Sequence, residues 1–288
     1  MTDRPIWPTW FIDEPADVYH ARRQSVVTSS SLKEYRACPA HFKKMWDGTA
    51  TSKESPAMAL GTMIHAIVLE GAGAVNRQYE FADNAPVNPK TGKPFGPTAA
   101  AYKEWSESHG KPIITAAQCR DILATANAVR EHPEAIKLVR EATYCESVVR
   151  GDFTGNGLIE SQARLDMFEF HTSGSTIVDL KTCADLDFFE SDARKYGYLY
   201  QLAFYRHMVK VARGRIPDCY IIAVEKTGRY RCGVWKITTL ELNRCHRANM
   251  ETMAELEQAF VNDSWPTGYE HIRFLESAEK EGNYVAPE

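Results

Sequence analysis

The segment Ile177-Val178-Asp179-Leu180-Lys181-Thr182 places an acid and a lysine two residues apart in an apolar, β-branched run. Side chains two apart on a strand share a face. Asp179 and Lys181 therefore point together, while Val178 and Leu180 point into a core. A carboxylate there can hold a divalent cation. The neighbouring ammonium can orient a water or offset negative charge growing on a phosphate. Alone the pair says little, because surface strands carry such pairs by chance. Asp166 adds to it, in Ala163-Arg164-Leu165-Asp166-Met167-Phe168. With a turn near residues 171–175, it falls opposite the neighbourhood of Asp179. An acid flanked by Leu165, Met167 and Phe168 is costly to bury without a partner or a metal. Two close carboxylates repel, and a shared hard cation relieves the repulsion. The plain alternative is a turn-proximal acid paired with Arg164.

Further candidates lie on helical stretches. Gln201 and Tyr205 are four apart, and Tyr198 precedes Gln201 by three, so the three share a helical face. They form an ordinary amphipathic stripe or, beside a metal, contacts to a phosphate, a base or the lysine. His65, in Gly61-Thr62-Met63-Ile64-His65-Ala66, reads on sequence alone as a core histidine, although imidazole is also a cation ligand. Residues 193–217 hold no acid but carry Arg194, Lys195, Arg206, Lys210, Arg213 and Arg215. Lys33, Arg36, Lys43 and Lys44 form a second basic group. Either set can neutralise phosphates, or be a solvated helix face. Arg194, Tyr198, Gln201 and Tyr205 follow helical spacing and are expected on one side of one helix.

The elements that must position these groups follow from patterning. Residues 1–27, rich in Pro and Trp, are expected to form an extended arm before one domain over 28–288. A helix starts at Ser29-Ser30-Ser31, with Glu34 placed for a capping box, and runs to about residue 46. Ser55-Pro56 opens another that ends near Gly71. Residues 83–98 read as a loop, and 99–108 and 115–132 as helices. Strands are expected over 144–151, 158–170 and 175–181, then a long helix over 187–212. A hairpin over 219–226 and 231–237 turns at Thr227-Gly228, and a charged helix closes the domain from 239 to about 262. The order implies an α/β fold, a mixed sheet with helices on its faces.

The chain has 288 residues, 44% hydrophobic and 25% charged, values typical of a globular protein with a sizeable core. Its formal net charge of -4 rules out a bulk polycation, so nucleic-acid contact needs a local basic surface. Asp3, Pro5 and Pro8 interrupt the start, so no export signal is expected. The apolar run over 57–75 contains His65 and Glu70 and reads as a buried helix, not a membrane span. The cysteines, 7 in all and with no CxxC spacing, suggest reduced thiols, a cytoplasmic location and no structural zinc.

The series GTxxHAxxLEG, RLDM, VDLKT and YLYQLAFY resembles the exodeoxyribonuclease VIII (RecE-type) nucleases and, more widely, the RecB-like branch of the PD-(D/E)XK superfamily. The opening Ser30-Ser31-Leu32-Lys33-Glu34-Tyr35-Arg36-Ala37-Cys38-Pro39 is similar to the helix that starts many such domains. The likeness spans roughly residues 28–260 and implies a restriction-endonuclease-like core. It implies that His65, Asp166, Asp179 and the Leu180 carbonyl are metal ligands, in a centre of two Mg²⁺ ions with Mn²⁺ as a substitute, which would activate water and stabilise the leaving oxygen in phosphodiester hydrolysis. Lys181 would be the catalytic lysine, and Gln201 and Tyr205 match the QxxxY motif. Relatives with an iron–sulfur cluster use three late clustered cysteines. Here only Cys232 and Cys245 come late, so no cluster is expected.

The expected function is a metal-dependent exonuclease acting on double-stranded DNA ends, 5′ to 3′, with Arg194, Tyr198, Lys33 and Arg36 as DNA contacts. The resemblance further implies phage-type recombination, a single-strand annealing protein as partner, and a ring-shaped homo-oligomer, trimer or tetramer. No membrane association is expected. The alternatives are a RecB- or Cas4-like nuclease of other polarity, or a catalytically silent nuclease fold that binds DNA.

Overall fold

The computed structural model describes residues 9–50, 56–71, 73–171 and 174–274. Residues 9–27 depart from the expected extended arm. Strand β1 (Thr9–Ile12) is followed by helix α1 (Ala16–Ala21). Tyr19, Val26 and Val27 are buried. The Val27 amide donates to Glu160 O at 2.9 Å, and the Gln162 amide donates back to Val27 O at 2.9 Å. Glu14 forms an ion pair with buried Arg150. Apolar side chains at the right intervals thus make this segment part of the core.

Helix α2 (Ser29–Ala37) starts at Ser29, in the expected serine run. Thr28 is its cap, in a reciprocal box with Ser31 and not with Glu34. The helix expected to continue to residue 46 breaks at Cys38, which is extended (φ -167°, ψ 105°), and resumes as α3 (Pro39–Trp46). The cause is Pro39: its ring disfavours helical backbone in the residue before it, and it is well placed as a first helical residue.

Helix α4 (Pro56–Glu70) is followed by α5 (Gly73–Gln78), β2 (Glu80–Phe81), α6 (Ala100–His109), β3 (Ile113–Ile114) and α7 (Ala116–Glu131). Met63, Ile64 and Ile67 of α4 pack with Ile114, Ile122 and Ala126 in a core of their own. The apolar α4 is thus a buried helix. Among the described residues no helix is long and apolar enough to cross a membrane. Helix α5 was not expected, nor was α8 (Pro133–Glu141), which begins with Pro at the first position and a His132 side-chain cap on the Ala135 amide.

Strands β4 (Tyr144–Asp152), β5 (Glu160–Phe170) and β6 (Ser175–Cys183) form a meander. The expected single helix over 187–212 is two, α9 (Phe189–Tyr196) and α10 (Tyr198–Arg213). Gly197 separates them at φ 76°, a left-handed conformation that glycine adopts without steric cost. The hairpin of β7 (Asp218–Glu225) and β8 (Cys232–Ile237) and the closing helix α11 (Thr239–Asn262) match expectation.

The main sheet runs β1-β4-β5-β6-β7-β8, and β2 and β3 form a small parallel pair. Among the described residues, only β6 and β7 pair in parallel within the main sheet, because α9 and α10 supply the crossover that parallel strands need. Val178, Leu180, Ile222 and Val224 pack with Val129 of α7 and Ala135 of α8. Leu165, Ile177 and Ile221 pack with Leu202, Phe204 and Met208 of α10 and Leu256 of α11. The mixed sheet is therefore covered by helices on both faces, as an α/β fold requires.

Candidate active site

Register brings three acids into one row. Cys145 pairs with Met167 and Ser147 with Leu165, so Glu146 stands opposite Asp166. Met167 pairs with Val178, which sets Asp166 opposite Asp179 across the next gap. The Leu180 amide donates to Asp166 Oδ2 at 2.8 Å, tying the two strands where the acids meet. Lys181 Nζ is 2.7 Å from Asp179 Oδ2. Arg164, the simple partner proposed for Asp166, instead pairs with Glu146 at 3.0 Å.

Helix α4 delivers His65 to this row. A Cβ on Gly61 would stand 3.4 Å from Thr182 Oγ1, so the small residue lets the helix lie close to β6. One turn later His65 Nδ1 is 3.6 Å from Asp166 Oδ2. The Leu180 carbonyl also faces this imidazole. His65, Glu146 and Asp166 each place one ligand atom within 4.8 Å of the others.

Burial sets the charge states. It pushes the Asp179 carboxyl up, against the pull of Lys181. Burial also works against the Lys181 charge, but Asp179 and Asp166 outweigh it and raise the amine above its ordinary range. Glu146 is pushed up to about 7, by burial first and then by Asp166. Burial holds the His65 imidazole down, towards the neutral form that a ligand needs.

The residues fit a divalent cation. Asp179 is 1% exposed, and its Oδ1 has no hydrogen-bond donor. A buried carboxylate oxygen left unpaired is expensive unless an ion completes it. The donors are carboxylates, a carbonyl and an imidazole, which suit Mg²⁺ or Mn²⁺ better than a soft metal.

Helix α10 closes the site. Gln201 Nε2 donates to the Tyr205 hydroxyl at 2.7 Å, and Lys181 Nζ lies 4.9 Å from the Tyr198 ring centre. His65, Asp166, Lys181, Tyr198 and Tyr205 line a cleft of about 600 Å³. A second cleft of about 500 Å³ shares Ser29, Ser30 and Tyr198 with the first and adds Lys33, Arg36, Arg194 and Gln201. Arg194 and Gln201 thus meet in one groove although Gly197 interrupts their helix.

The basic residues divide. Arg194 and Lys33 are exposed at the groove. Arg36 lines it too, but its guanidinium serves the fold: Nε donates to Thr252 Oγ1 at 2.8 Å, and a terminal nitrogen donates to Asn249 Oδ1. Arg206 donates to Pro217 O and to Asn243. Arg213 and Arg215 lie over the Phe170 ring, away from the groove. Glu146 is the site residue that sequence reasoning missed. Counting register back across the β4–β5 hairpin from Asp166 would have found it.

The model of the PDDEXK-like domain of unknown function DUF3799 matches residues 28–278. The chain belongs to the DUF3799 family. No curated protein matches it. A crystal structure of a "putative exonuclease" from Eubacterium rectale aligns with this DUF3799 chain at a TM-score of 0.60. Identity is 11%, over 92% of this chain and 97% of that one. A structure of LHK-Exo in complex with dAMP aligns at a TM-score of 0.28 and 14% identity, over 58% of this chain and 85% of that one. The DUF3799 chain has the PD-(D/E)XK nuclease-like fold, and its Asp166, Asp179 and Lys181 stand at the centre of the sheet.

Proposed function

We propose that this DUF3799 protein is a divalent-metal-dependent exonuclease that hydrolyses linear double-stranded DNA from its ends. The observation that carries this reading is the meeting of His65, Asp166 and Lys181 in one cleft, with Asp179 paired to Lys181 behind it and its Oδ1 buried and unpaired. His65, Asp166, Asp179 and the Leu180 carbonyl would hold the ion. A bound Mg²⁺ supplies Lewis acidity and lowers the pKa of water. The chain's own residues do the rest. Lys181 offsets charge growing on the phosphate, and Asp179 keeps that ammonium charged. Gln201 and Tyr205, bonded to each other, fix the wall against which the scissile end rests. Arg194, Lys33 and Tyr198 guide the strand through the adjoining groove.

The motif resemblance supports 5′ to 3′ digestion that leaves a 3′ single strand for phage-type recombination. It also supports action in a ring-shaped homo-oligomer beside a single-strand annealing protein. The test is linear duplex labelled at either the 5′ or the 3′ terminus, incubated with Mg²⁺. Early release of the 5′ label as short product supports the reading. Early release of the 3′ label makes the protein a nuclease of the opposite polarity, and retention of both labels removes the exonuclease assignment.

A further inference from the structure

Tyr196 has no part in the mechanism above, yet it lines the groove that adjoins the catalytic cleft. It is 44% exposed, so its ring is available to something outside the core. The left-handed Gly197, at φ 76°, turns the chain between α9 and α10, and Tyr196 and Tyr198 on either side of it line one groove. Their ring centres are 6.0 Å apart and their planes differ by 35°. Tyr198 lines the catalytic cleft as well, with its ring centre 4.9 Å from Lys181 Nζ. The two rings thus form a short row that runs from the groove to the catalytic lysine.

Cations flank the outer ring. Lys33 Nζ on α2 is 5.9 Å from the Tyr196 ring centre, and Lys195 Nζ on α9 is 5.5 Å from it. Both distances lie near the outer limit of a cation–π contact, and both lysines are exposed, so these chains can turn to an anion and leave the ring to a flat group. Rings set among cations in a groove are the combination that holds single-stranded nucleic acid: the cations follow phosphates and the rings take bases. Duplex offers no such base face, because each internal base is covered on both sides by its neighbours. A groove of about 500 Å³ has the scale of a small ligand, and so suits a nucleotide or two of one strand.

We infer that Tyr196 is a platform on which an unpaired nucleobase stacks, with Lys33 and Lys195 meeting the phosphates beside it. This rests on the nuclease reading and deepens it. The strand to be cut lies unpaired in the groove, and Tyr196 makes its grip depend on bases as well as on phosphates. Tyr198 continues the row towards Lys181.

The experiment measures binding of the purified full chain, in Ca²⁺, to a fluorescein-labelled oligodeoxythymidylate and to a strand of equal length made of abasic sites. Wild type is expected to prefer the strand with bases by about ten-fold or more, and Tyr196→Ala to lose most of that preference while binding the abasic strand much as wild type does. Tyr196→Phe keeps the ring and should stay within about two-fold of wild type on both strands. Melting curves confirm that the variants fold. Wild type binding both strands equally overturns the inference without recourse to a variant. An equal loss on both strands in Y196A also overturns it, since the ring would then act only by arranging the lysines. Cleavage of DNA by wild type in Mg²⁺, run alongside, tests the nuclease reading separately. If no DNA is cut but the base- and Tyr196-dependent binding is present, that reading falls and the platform stands.

Discussion

Lys181 Nζ lies 2.7 Å from Asp179 Oδ2, and both groups are sheltered, with side-chain exposures of 16% and 1%. Asp179 keeps the ammonium charged against burial, and Lys181 opposes, without cancelling, the rise that burial imposes on the carboxyl. Lys181→Met should therefore affect chemistry more than binding. Cleavage at saturating DNA is expected to fall about 10²–10³-fold. Affinity for duplex in Ca²⁺ should change less than about ten-fold, as one lost phosphate contact allows. Weak binding with normal cleavage at saturation would make Lys181 a binding residue only.

His65 faces Asp166 from α4 at 3.6 Å. If it ligates, His65→Ala should weaken Mn²⁺ binding by about 10–100-fold. In wild type, Mn²⁺ affinity should fall on acidification, as protons compete for the imidazole and carboxylates. Calorimetry at two pH values measures both effects. Unchanged metal affinity with a large drop in melting temperature would return His65 to a packing role.

Arg194 and Arg36 line one groove but should differ. Arg194 is exposed, with a long 4.0 Å approach to Glu190. Arg194→Ala should weaken duplex binding in Ca²⁺ and lower the salt slope by about one phosphate's worth. Arg36→Ala leaves buried Asn249 short of a donor and should cost stability by about 1–3 kcal/mol. Binding against salt and urea melts separate the two. The reverse pattern would move the DNA path onto α2.

Glu225 is 2% exposed and accepts from Arg231 Nε at 2.9 Å and from the Leu186 amide at 3.1 Å. These bonds, those of Arg231 foremost, hold its carboxyl down at about 2. The folded value lies below the unfolded one of about 4.3. Its stabilising effect is therefore complete above that pH and lost as pH falls towards 2. Glu225→Gln should unfold at lower urea than wild type at pH 7, and the gap should close between pH 4 and pH 2. A gap that widens on acidification would contradict this.

The strand that carries Asp179 and Lys181 was legible because alternation is local: the apolar residues around them fix both the strand and the face. The QxxxY pair was legible for the same reason, since four residues make about one helical turn. The breaks were not. Helical periodicity continues across Pro39 and Gly197, although each carries its own signal, a pre-proline restriction at Cys38 and a glycine between two tyrosines. The fate of residues 9–27 depended on distant partners, Arg150 and Gln162, which no local pattern reveals. Glu146 stayed hidden because its position depends on register across a hairpin and on a left-handed residue inside a strand.

On the proposed function, Asp166 and Asp179 hold a divalent ion without which this fold cleaves no DNA. The most direct test of this is the loss of linear duplex in Mg²⁺ by wild type, by wild type with EDTA, and by folded Asp179→Ala. Digestion is expected from wild type alone, with EDTA and the substitution each lowering the rate at least about 10³-fold, or ~4 kcal/mol of barrier. Digestion by well-folded Asp179→Ala at the wild-type rate, or digestion indifferent to EDTA, would contradict it.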